Sequence, residues 1–260
     1  MMGREWTYRL RDTNDPEERL EDAALFKALY DASDGMVKPA TGNSEADFGV
    51  RGNRFRHSFS LAYWNDRAFL RHCGRRFETT LFDGLQGRVE SFHALGHDVY
   101  IKSGFDKFFN AVVNQGESVA DVVGDMAYSF IDSPVPLMVQ ELVDFTFEHR
   151  FFVIGREVVT WSPAAYTLTP IDYPVPHGVA WRKQADMNSE PWNGLDAMVA
   201  LARQIAKEME TDSAVIDLGM IGDTPACVEF NPFHAGQVGL FACDVRALAT
   251  AVLASLMENG

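Results

Sequence analysis

Hydrophobic residues recur at helical spacing in three segments of the chain, and a fourth segment carries the signals of a helix N-terminus. Residues 16–31 follow Asp15, whose side chain suits the cap of a helix N-terminus. Apolar side chains also share one helical face over 117–130, over 191–210 and from Asp244 onward. The pattern therefore predicts four helices.

Shorter apolar runs predict β-strands between these helices. The hairpin turns are Gly155-Arg156 and a Gly-Asp-Thr-Pro segment that starts at Gly222. Residues 32–57 show no period, which predicts a loop, and no boundary stands out over 58–95. Because helices and strands are interspersed, the fold class is α/β or α+β with antiparallel hairpins. The predicted strands are 97–102, 135–143, 149–155, 156–161, 213–221 and 226–233.

Length and composition are those of a soluble globular protein. A chain of 260 residues fits one large domain or two small lobes. It contains no run of about eighteen apolar residues, and its N-terminus lacks the apolar segment of a secretory signal. Its three cysteines cannot form a paired disulfide framework, and no CxxC motif occurs. We therefore expect a cytoplasmic protein without a membrane partner.

Charge is distributed unevenly along the chain. The net charge of −14 disfavours a nucleic-acid partner, which would require Lys and Arg to neutralise phosphates. Residues 51–76 nevertheless contain seven arginines and one acid, Asp66. This arginine-rich stretch suits binding of a small anion or a carboxylate, and it equally suits surface pairing with the surplus acids elsewhere.

The last predicted hairpin carries two carboxylates and an amide. Strand alternation puts Glu229 and Asn231 on one face, and Asp217, at the end of the preceding strand, lies beside them if the strands pair. Such oxygen ligands suit Mg²⁺ that also holds nucleotide phosphates. In the alternative, Asp217 is a turn residue and Glu229 faces solvent. The apolar neighbours in CVEFNPF argue against it, because a buried carboxylate needs a partner.

Two further segments carry charged residues on strands. In VQELVDFTFEHRFFV, Glu141 closes one strand, and Glu148 alternates with Arg150 on the next. This arrangement suits a hinge that pairs with adenine and an acid that accepts hydrogen bonds from ribose, although Glu-x-Arg alone is an ordinary surface pair. Lys102 ends the apolar strand VYIK, where it suits nucleotide phosphates; the alternative is that Lys102 and Lys107 are surface lysines.

The order of these motifs resembles that of the ATP-grasp superfamily over about residues 97–257. The order is Lys, a Gln-Glu hinge, Glu-x-Arg, Asp, and Glu-x-Asn-Pro. Within the superfamily the chain is similar to a predicted phage and bacterial clade with an additional lysine, which here is Lys107. The glycine-rich loop that usually covers the phosphates is poor, since residues 103–116 contain only Gly104 and Gly116.

The resemblance implies an ATP-grasp fold of two α+β lobes with the nucleotide between them. Residues 96–260 would bind nucleotide and metal, with a hinge near 140–144, and residues 1–95 would form a substrate-side region. The implied nucleotide-binding residues are Lys102, Lys107, Gln140, Glu141, Leu142, Val143, Glu148 and Lys183. The implied metal ligands are Asp217, Glu229 and Asn231, and the implied catalytic residues are Lys102 and Arg150.

The activity that the resemblance implies is that of an ATP-dependent ligase with ATP and Mg²⁺ as cofactors. ATP would phosphorylate a substrate carboxylate, and an amine would then displace phosphate to give an amide. The substrate is a small molecule, a peptide or a protein that carries these groups. The oligomeric state stays open, with a homodimer among the alternatives.

Two other functional classes are compatible with the sequence. VYIK and IDLG also suit a kinase-like phosphotransferase, with Lys102 and Asp217 as its strand lysine and metal ligand. This sequence lacks the HRD catalytic loop of kinases, and Glu229 follows Asp217 too closely to match that class. A non-catalytic nucleotide-binding protein is the other alternative.

Overall fold

The computed structural model describes residues 5–41, 46–49, 63–103, 109–124, 136–165, 168–174, 179–181, 189–191, 194–231 and 239–258. The chain forms two compact units. One is continuous, Cys73–Asp144, and is called the inserted unit below. The other combines Met1–His72 with Phe145–Gly260 and is called the composite unit.

The described residues form six α-helices interspersed among thirteen strands. The helices are α1 Pro16–Ala32, α2 Arg67–His72, α3 Leu85–His93, α4 Val119–Val123, α5 Leu195–Glu208 and α6 Val245–Glu258. The strands are β1 Trp6–Arg9, β2 Val37–Pro39, β3 Phe48–Gly49, β4 Phe77–Thr80, β5 Val99–Ser103, β6 Asn110–Val113, β7 Leu137–Glu141, β8 Thr146–Ile154, β9 Glu157–Pro163, β10 Val179–Trp181, β11 Ser189–Pro191, β12 Ala214–Ile221 and β13 Thr224–Asn231. Within this part of the chain, no helix has the length and hydropathy that a membrane crossing requires.

The inserted unit is built on an antiparallel sheet with the strand order β4-β7-β5-β6. Val99 and Ile101 of β5 point into a core that α3 and α4 complete, so alternation places Tyr100 and Lys102 on the opposite face. The buried core comprises Leu85, Val89, Phe92, Val99, Ile101, Phe109, Val113, Val119, Val123, Leu137 and Val139.

The composite unit is built on a second antiparallel sheet, with the order β13-β12-β8-β9. α1 and α6 pack against one face, where Leu25 and Leu248 share a core with Phe152 and Val215 of the sheet. The other face carries α2 and α5, and there the ring of Phe230 lies 5.9 Å from that of Phe69. β1 pairs in parallel with β2 and β3 in a small separate sheet.

All four predicted helices are present in the structure, with bounds that differ from the predicted ones. The Asp15 carboxylate caps α1 by accepting hydrogen bonds from the N–H groups of Glu17 and Glu18 at 2.9 and 3.1 Å. The helix predicted over 117–130 is shorter in the structure: α4 begins at Val119 and ends at Val123, followed by Gly124 with a left-handed φ of 49°. Residues 125–130 of the prediction lie outside the described residues.

The predicted hairpins are also present. Gly155 and Arg156 both have left-handed backbone angles, with φ of 59° and 66°, which is typical of two-residue hairpin turns. Two further predictions are wrong in part: the loop predicted over 32–57 contains β2 and β3, and the helix predicted from 191 begins at Leu195. Both errors have the same cause, since β2, β3 and β11 are fixed by strand pairing, which local periodicity does not reveal.

The units divide the chain at other points than the predicted functional regions. β4 and α3, which precede residue 96, belong to the inserted unit, and the unit boundary after Asp144 directly follows the predicted hinge at 140–144. The roles assigned to residues 1–95 and 96–260 stay predictions.

Candidate functional site

Three charged residues lie side by side across the sheet of the composite unit. Asp217 on β12 pairs with Glu229 on β13 and, on its other side, with Arg150 on β8. Directly paired residues of antiparallel strands point to the same face, so the three side chains share one face of the sheet. Asp217 lies in the middle of β12 and not at its end, because pairing continues to Ile221, the last residue of the strand predicted over 213–221.

Asn231 closes this row of charged residues. Its Nδ2 donates hydrogen bonds to Asp217 Oδ2 at 3.0 Å and to Glu229 Oε1 at 2.9 Å. One amide therefore connects two carboxylates whose mutual repulsion would otherwise separate them. The structure thus brings Asp217, Glu229 and Asn231 together, and their role as metal ligands stays a prediction.

Arg150 and Asp217 form a buried, two-pronged ion pair. Arg150 Nε donates to Asp217 Oδ1 at 2.8 Å, and Nη2 donates to Oδ2 at 2.7 Å. Arg150 and Asp217 are 8% and 1% exposed, so this ion pair is shielded from solvent, unlike an ordinary surface pair. Burial works against the charged guanidinium, but Asp217 outweighs it and raises the pKa of Arg150 above its ordinary value. Arg150 is therefore a fixed positive charge beside the carboxylates.

Residues 239–242, called the arginine-facing loop below, hold the other side of Arg150. Its Nη1 donates to the carbonyl of Gly239 at 3.1 Å, and its guanidinium carbon lies 5.0 Å from the centre of the Phe241 ring. A Cβ on Gly239 would come within 3.1 Å of that ring and 3.3 Å of Nη1, so glycine permits the close approach. Gly239 and Phe241 are not among the residues predicted from the sequence, because no local pattern marks them.

Glu229, Asp217 and Arg150, closed by Asn231, are called the charged row below. The oxygen atoms in this row are of the kind that binds a divalent cation. Two carboxylates and an amide oxygen are the hard ligands that Mg²⁺ prefers, although Asn231 would have to turn its amide over to present Oδ1. No cluster of three or more His, Cys, Asp or Glu that could hold a metal occurs among the described residues. The row itself contains two carboxylates, so the amide of Asn231 would supply the third ligand.

Glu148 and His149 differ in their position on β8. Glu148 lies two residues before Arg150 and is half-buried, and its carbonyl accepts a hydrogen bond from the N–H of Ala164 at 2.9 Å. His149 is buried on the opposite face, with Nδ1 at 2.7 Å from the carbonyl of Phe147. Burial lowers the pKa of His149 to about 4, so the ring is neutral at physiological pH.

In the inserted unit, Lys102 lies on the sheet face opposite the core. It is half-buried and pairs with Met138 of β7. Gln140 lies on the same face and is buried, and its Oε1 accepts a hydrogen bond from Arg75 Nε at 2.7 Å. Of the arginine-rich stretch, Arg75 thus contacts a predicted nucleotide-binding residue.

The other residues of the arginine-rich stretch, 51–76, either contact different groups or lie outside the described part of the chain. Arg71 forms a surface ion pair with Glu208 at 2.9 Å, as the alternative interpretation expects. Residues 51–62 lie outside the described residues, as do the predicted phosphate ligands Lys107 and Lys183.

The predicted hinge, residues 140–144, overlaps the end of β7 and extends beyond the last strand pair, Val99 with Glu141. The N–H of Glu141 donates to the carbonyl of Arg76, and that of Leu142 donates to the carbonyl of Asp98, both at 2.9 Å. The Glu141 carboxylate lies 3.3 Å from the ring of His97. The N–H of Val143 makes no hydrogen bond within the described part of the chain, so it is available to a ligand.

Comparison with known proteins identifies the family. The model of the ATP-grasp domain, R-two-K clade family 2, matches residues 73–249. No curated protein matches the sequence.

Solved ATP-grasp structures share the fold at low sequence identity. D-alanine–D-alanine ligase from Bacillus anthracis, complexed with ATP, is 10% identical with a TM-score of 0.57, covering 98% of each chain. The ATP-grasp ligase PsnB, complexed with minimal precursor, is 12% identical with a TM-score of 0.55, covering 97% of this chain and 99% of PsnB. D-cycloserine synthetase DcsG is 12% identical with a TM-score of 0.57, covering 96% of this chain and 99% of its own.

The family match confirms the resemblance that the order of motifs suggested. It extends over more than half of the chain and includes Lys102, Arg150, Asp217, Glu229 and Asn231. The structural neighbours independently show an ATP-grasp fold. The chain therefore belongs to family 2 of the R-two-K clade of ATP-grasp domains.

Proposed function

We propose that the protein is an ATP-dependent ligase that joins a carboxylate to an amine. The observation that carries the proposal is the row Glu229–Asp217–Arg150, closed by Asn231, in a chain of the ATP-grasp family. Support also comes from neighbours of the same fold: PsnB was solved with Mg and ADP, and the B. anthracis ligase was solved with ATP. The substrate is a small molecule or a peptide; a cytoplasmic location and a homodimer stay predictions.

The composite unit would supply the metal ligands and a fixed positive charge. Asp217, Glu229 and Asn231 would hold Mg²⁺, which when bound offsets negative charge on the transferring phosphoryl group. Arg150 is charged and held in place by Asp217, so it would stabilise the same negative charge without having to reorganise. Glu148, half-buried on the same strand, would accept hydrogen bonds from the ribose hydroxyls.

The inserted unit would bind adenine and phosphates. In extended backbone, alternate residues present their polar groups on the same side, so the carbonyl of Glu141 and the N–H of Val143 suit the edge of adenine. The intervening N–H of Leu142 is already used by Asp98. Lys102 would contact phosphates as a point charge, with Lys107 and Lys183 as further cations, and Gln140 would lie on the face of Lys102.

The proposed reaction has two steps. In the first, a carboxylate oxygen of the substrate attacks the γ-phosphorus of ATP, the bond to the β,γ-bridging oxygen breaks, and ADP leaves with an acyl phosphate remaining. In the second, the amine nitrogen attacks the acyl carbon, the carbon–oxygen bond to phosphate breaks, and the nitrogen loses a proton as the amide forms. Arg150 and Lys102 stabilise charge in the first step.

Nucleotide binding can be tested with a single uncharged variant. Addition of Mg-ATP should raise the Tm of the wild-type protein, and Glu229→Gln should remove most of that increase, because it deletes a proposed metal ligand without unpairing Arg150. Asp223→Asn, at an exposed carboxylate in the turn of the same hairpin, is the matched control and should respond like the wild type. No increase in the wild type, or an equal increase in Glu229→Gln, would refute the site.

The products distinguish the ligase from the two alternatives. A ligase releases ADP only when a carboxylate and an amine are both supplied, and it forms an amide that mass spectrometry detects. A stable phosphorylated product would indicate a kinase-like phosphotransferase. Binding of Mg-ATP without turnover on any carboxylate and amine pair would indicate a non-catalytic nucleotide-binding protein.

A further inference from the structure

A carboxylate of helix α1 contacts the arginine-facing loop from outside the matched family region. Glu21 Oε1 accepts hydrogen bonds from two successive backbone N–H groups, that of Leu240 at 2.7 Å and that of Phe241 at 2.8 Å. Phe241 has a left-handed φ of 48°. Two successive N–H groups that converge on one oxygen form an anion-binding concavity, and Glu21 occupies it.

The contact is buried and specific. Glu21 is 6% exposed, and Arg11 Nη2 lies 3.7 Å from its second oxygen. Burial raises the pKa of Glu21, while the hydrogen bonds from Phe241 and Leu240 act in the opposite direction. A buried carboxylate on the apolar side of a helix destabilises the fold unless it is fully partnered, so its position requires a specific reason.

The arginine-facing loop transmits this contact to Arg150. The Gly239 carbonyl and the Phe241 ring, which hold the guanidinium, flank the backbone groups that Glu21 binds. On its other side, the loop is fixed to β9 by a hydrogen bond from the N–H of Ala242 to Ser162 Oγ at 2.9 Å. Ser162 is itself the strand partner of Arg150. The loop is therefore held on both sides of the guanidinium.

We propose that Glu21 is a positioning residue, whose carboxylate fixes the arginine-facing loop so that Arg150 keeps its two-pronged orientation on Asp217. The expected effect of Glu21 on turnover rests on the proposed function, but its expected effect on the orientation of Arg150 does not. Helix α1 would then contribute to phosphoryl transfer, although it ends at Ala32 and the matched family region begins only at residue 73.

The first test follows Arg150 directly and needs no substrate. The side-chain Nε–H signal of Arg150, assigned by its loss in Arg150→Lys, is recorded by NMR in the full-length protein. Glu21→Ala should move this signal and speed its exchange with solvent by at least about tenfold, because the loop that covers the guanidinium is released. Glu21→Gln keeps an acceptor oxygen for both N–H groups and should retain most of the protection.

Asp22→Asn is the matched control for this test. Asp22 is the adjacent buried acid on α1, but its hydrogen bonds come from the Tyr8 hydroxyl and the N–H of Arg11. It should lower stability while leaving the Arg150 signal in place. An unchanged signal in Glu21→Ala, equal effects of Glu21→Gln and Glu21→Ala, or an equal effect of Asp22→Asn would each overturn the proposal.

The second test separates positioning from the proposed function. In the ADP-release assay, Glu21→Ala should lower kcat by about 10- to 100-fold while the KM for ATP changes little, because misplacement of a charge acts on the transition state. Asp22→Asn should keep the wild-type kcat, and a lowered kcat there would overturn the proposal. If the wild type shows no turnover, the proposed function fails, and the NMR comparison still decides the role of Glu21.

Discussion

At the scale of single residues, Arg150 and Asp217 form a buried pair with a structural role and a proposed catalytic role. Removal of one partner leaves the other charge buried without compensation, which typically costs about 3–5 kcal/mol. Glu229 is half-buried and repels Asp217, so its neutralisation has no such cost.

We therefore predict that Asp217→Asn and Glu229→Gln differ strongly in stability without nucleotide. Asp217→Asn should lower the free energy of unfolding by about 3 kcal/mol in urea titrations. Glu229→Gln should change it by less than about 1 kcal/mol in either direction. Equal losses in the two variants would contradict the assignment of Asp217 as the partner that keeps Arg150 stable.

His149 gives a prediction about pH. Its pKa is about 4 in the folded protein against an ordinary value of 6.5, so folding favours the neutral ring. The neutral ring of His149 therefore contributes about 3 kcal/mol to the free energy of unfolding, at 1.36 kcal/mol per pKa unit. This contribution is fully present above pH 6.5 and is lost as the pH falls through 4.

The variant His149→Asn tests this linkage, because Asn keeps a donor for the Phe147 carbonyl but does not titrate. Between pH 7 and pH 4.5, the wild type should lose more stability in urea titrations than the variant does. Parallel curves for His149→Asn and wild type would refute the prediction.

At the scale of elements, β12 carries a glycine that lets a neighbouring aromatic residue approach. A Cβ at Gly219 would lie 2.7 Å from Cδ1 and 3.0 Å from Cβ of Phe145. The second of these atoms belongs to the fixed part of the side chain, so the clash cannot be relieved by ring rotation alone.

Gly219→Ala should therefore lower the free energy of unfolding by about 1–3 kcal/mol, as overpacking does. Gly87→Ala is the matched control: Gly87 lies in helix α3 with nothing within 4 Å of an added Cβ, so alanine should raise stability by up to about 1 kcal/mol. Thermal unfolding of both variants measures the difference, and the same sign of change in both would contradict it.

Local elements were predictable from the sequence because their causes are local. The Asp15 cap, the Gly155-Arg156 turn and the pairing of Asp217 with Glu229 all follow from residues close together in the chain. The charge partner of Asp217 was not predictable, since Arg150 reaches it across 67 positions.

The contact of Glu21 with the arginine-facing loop was out of reach for the same reason. Its hydrogen bonds join residues separated by 219 and 220 positions. One signal was nevertheless present: Glu21 and Asp22 stand on the helix stripe that continues through Leu25 and Leu29. Acids on an apolar stripe indicate buried partners, without identifying them.

At the scale of the whole molecule, the composite unit is assembled from the two ends of the chain. Tyr8, Leu25 and Leu29 share one core with Phe152 and Val215, although the inserted unit separates them in sequence. The inserted unit has a core of its own, formed entirely within Cys73–Asp144. Each unit should therefore respond to cavities in its own core.

This organisation predicts where a cavity increases hydrogen exchange. Leu25 and Leu85 are both completely buried, one in each core, so Leu→Ala at each removes the same atoms at a cost of about 2–5 kcal/mol. In native-state hydrogen exchange, Leu25→Ala should accelerate exchange in β8 and β12, and Leu85→Ala should accelerate it in β5 and β7. Acceleration of all four strands by either variant would show that the two cores unfold as one. The predicted pattern would instead show that α1, far from the charged row in sequence, stabilises the sheet on which Arg150 and Asp217 lie.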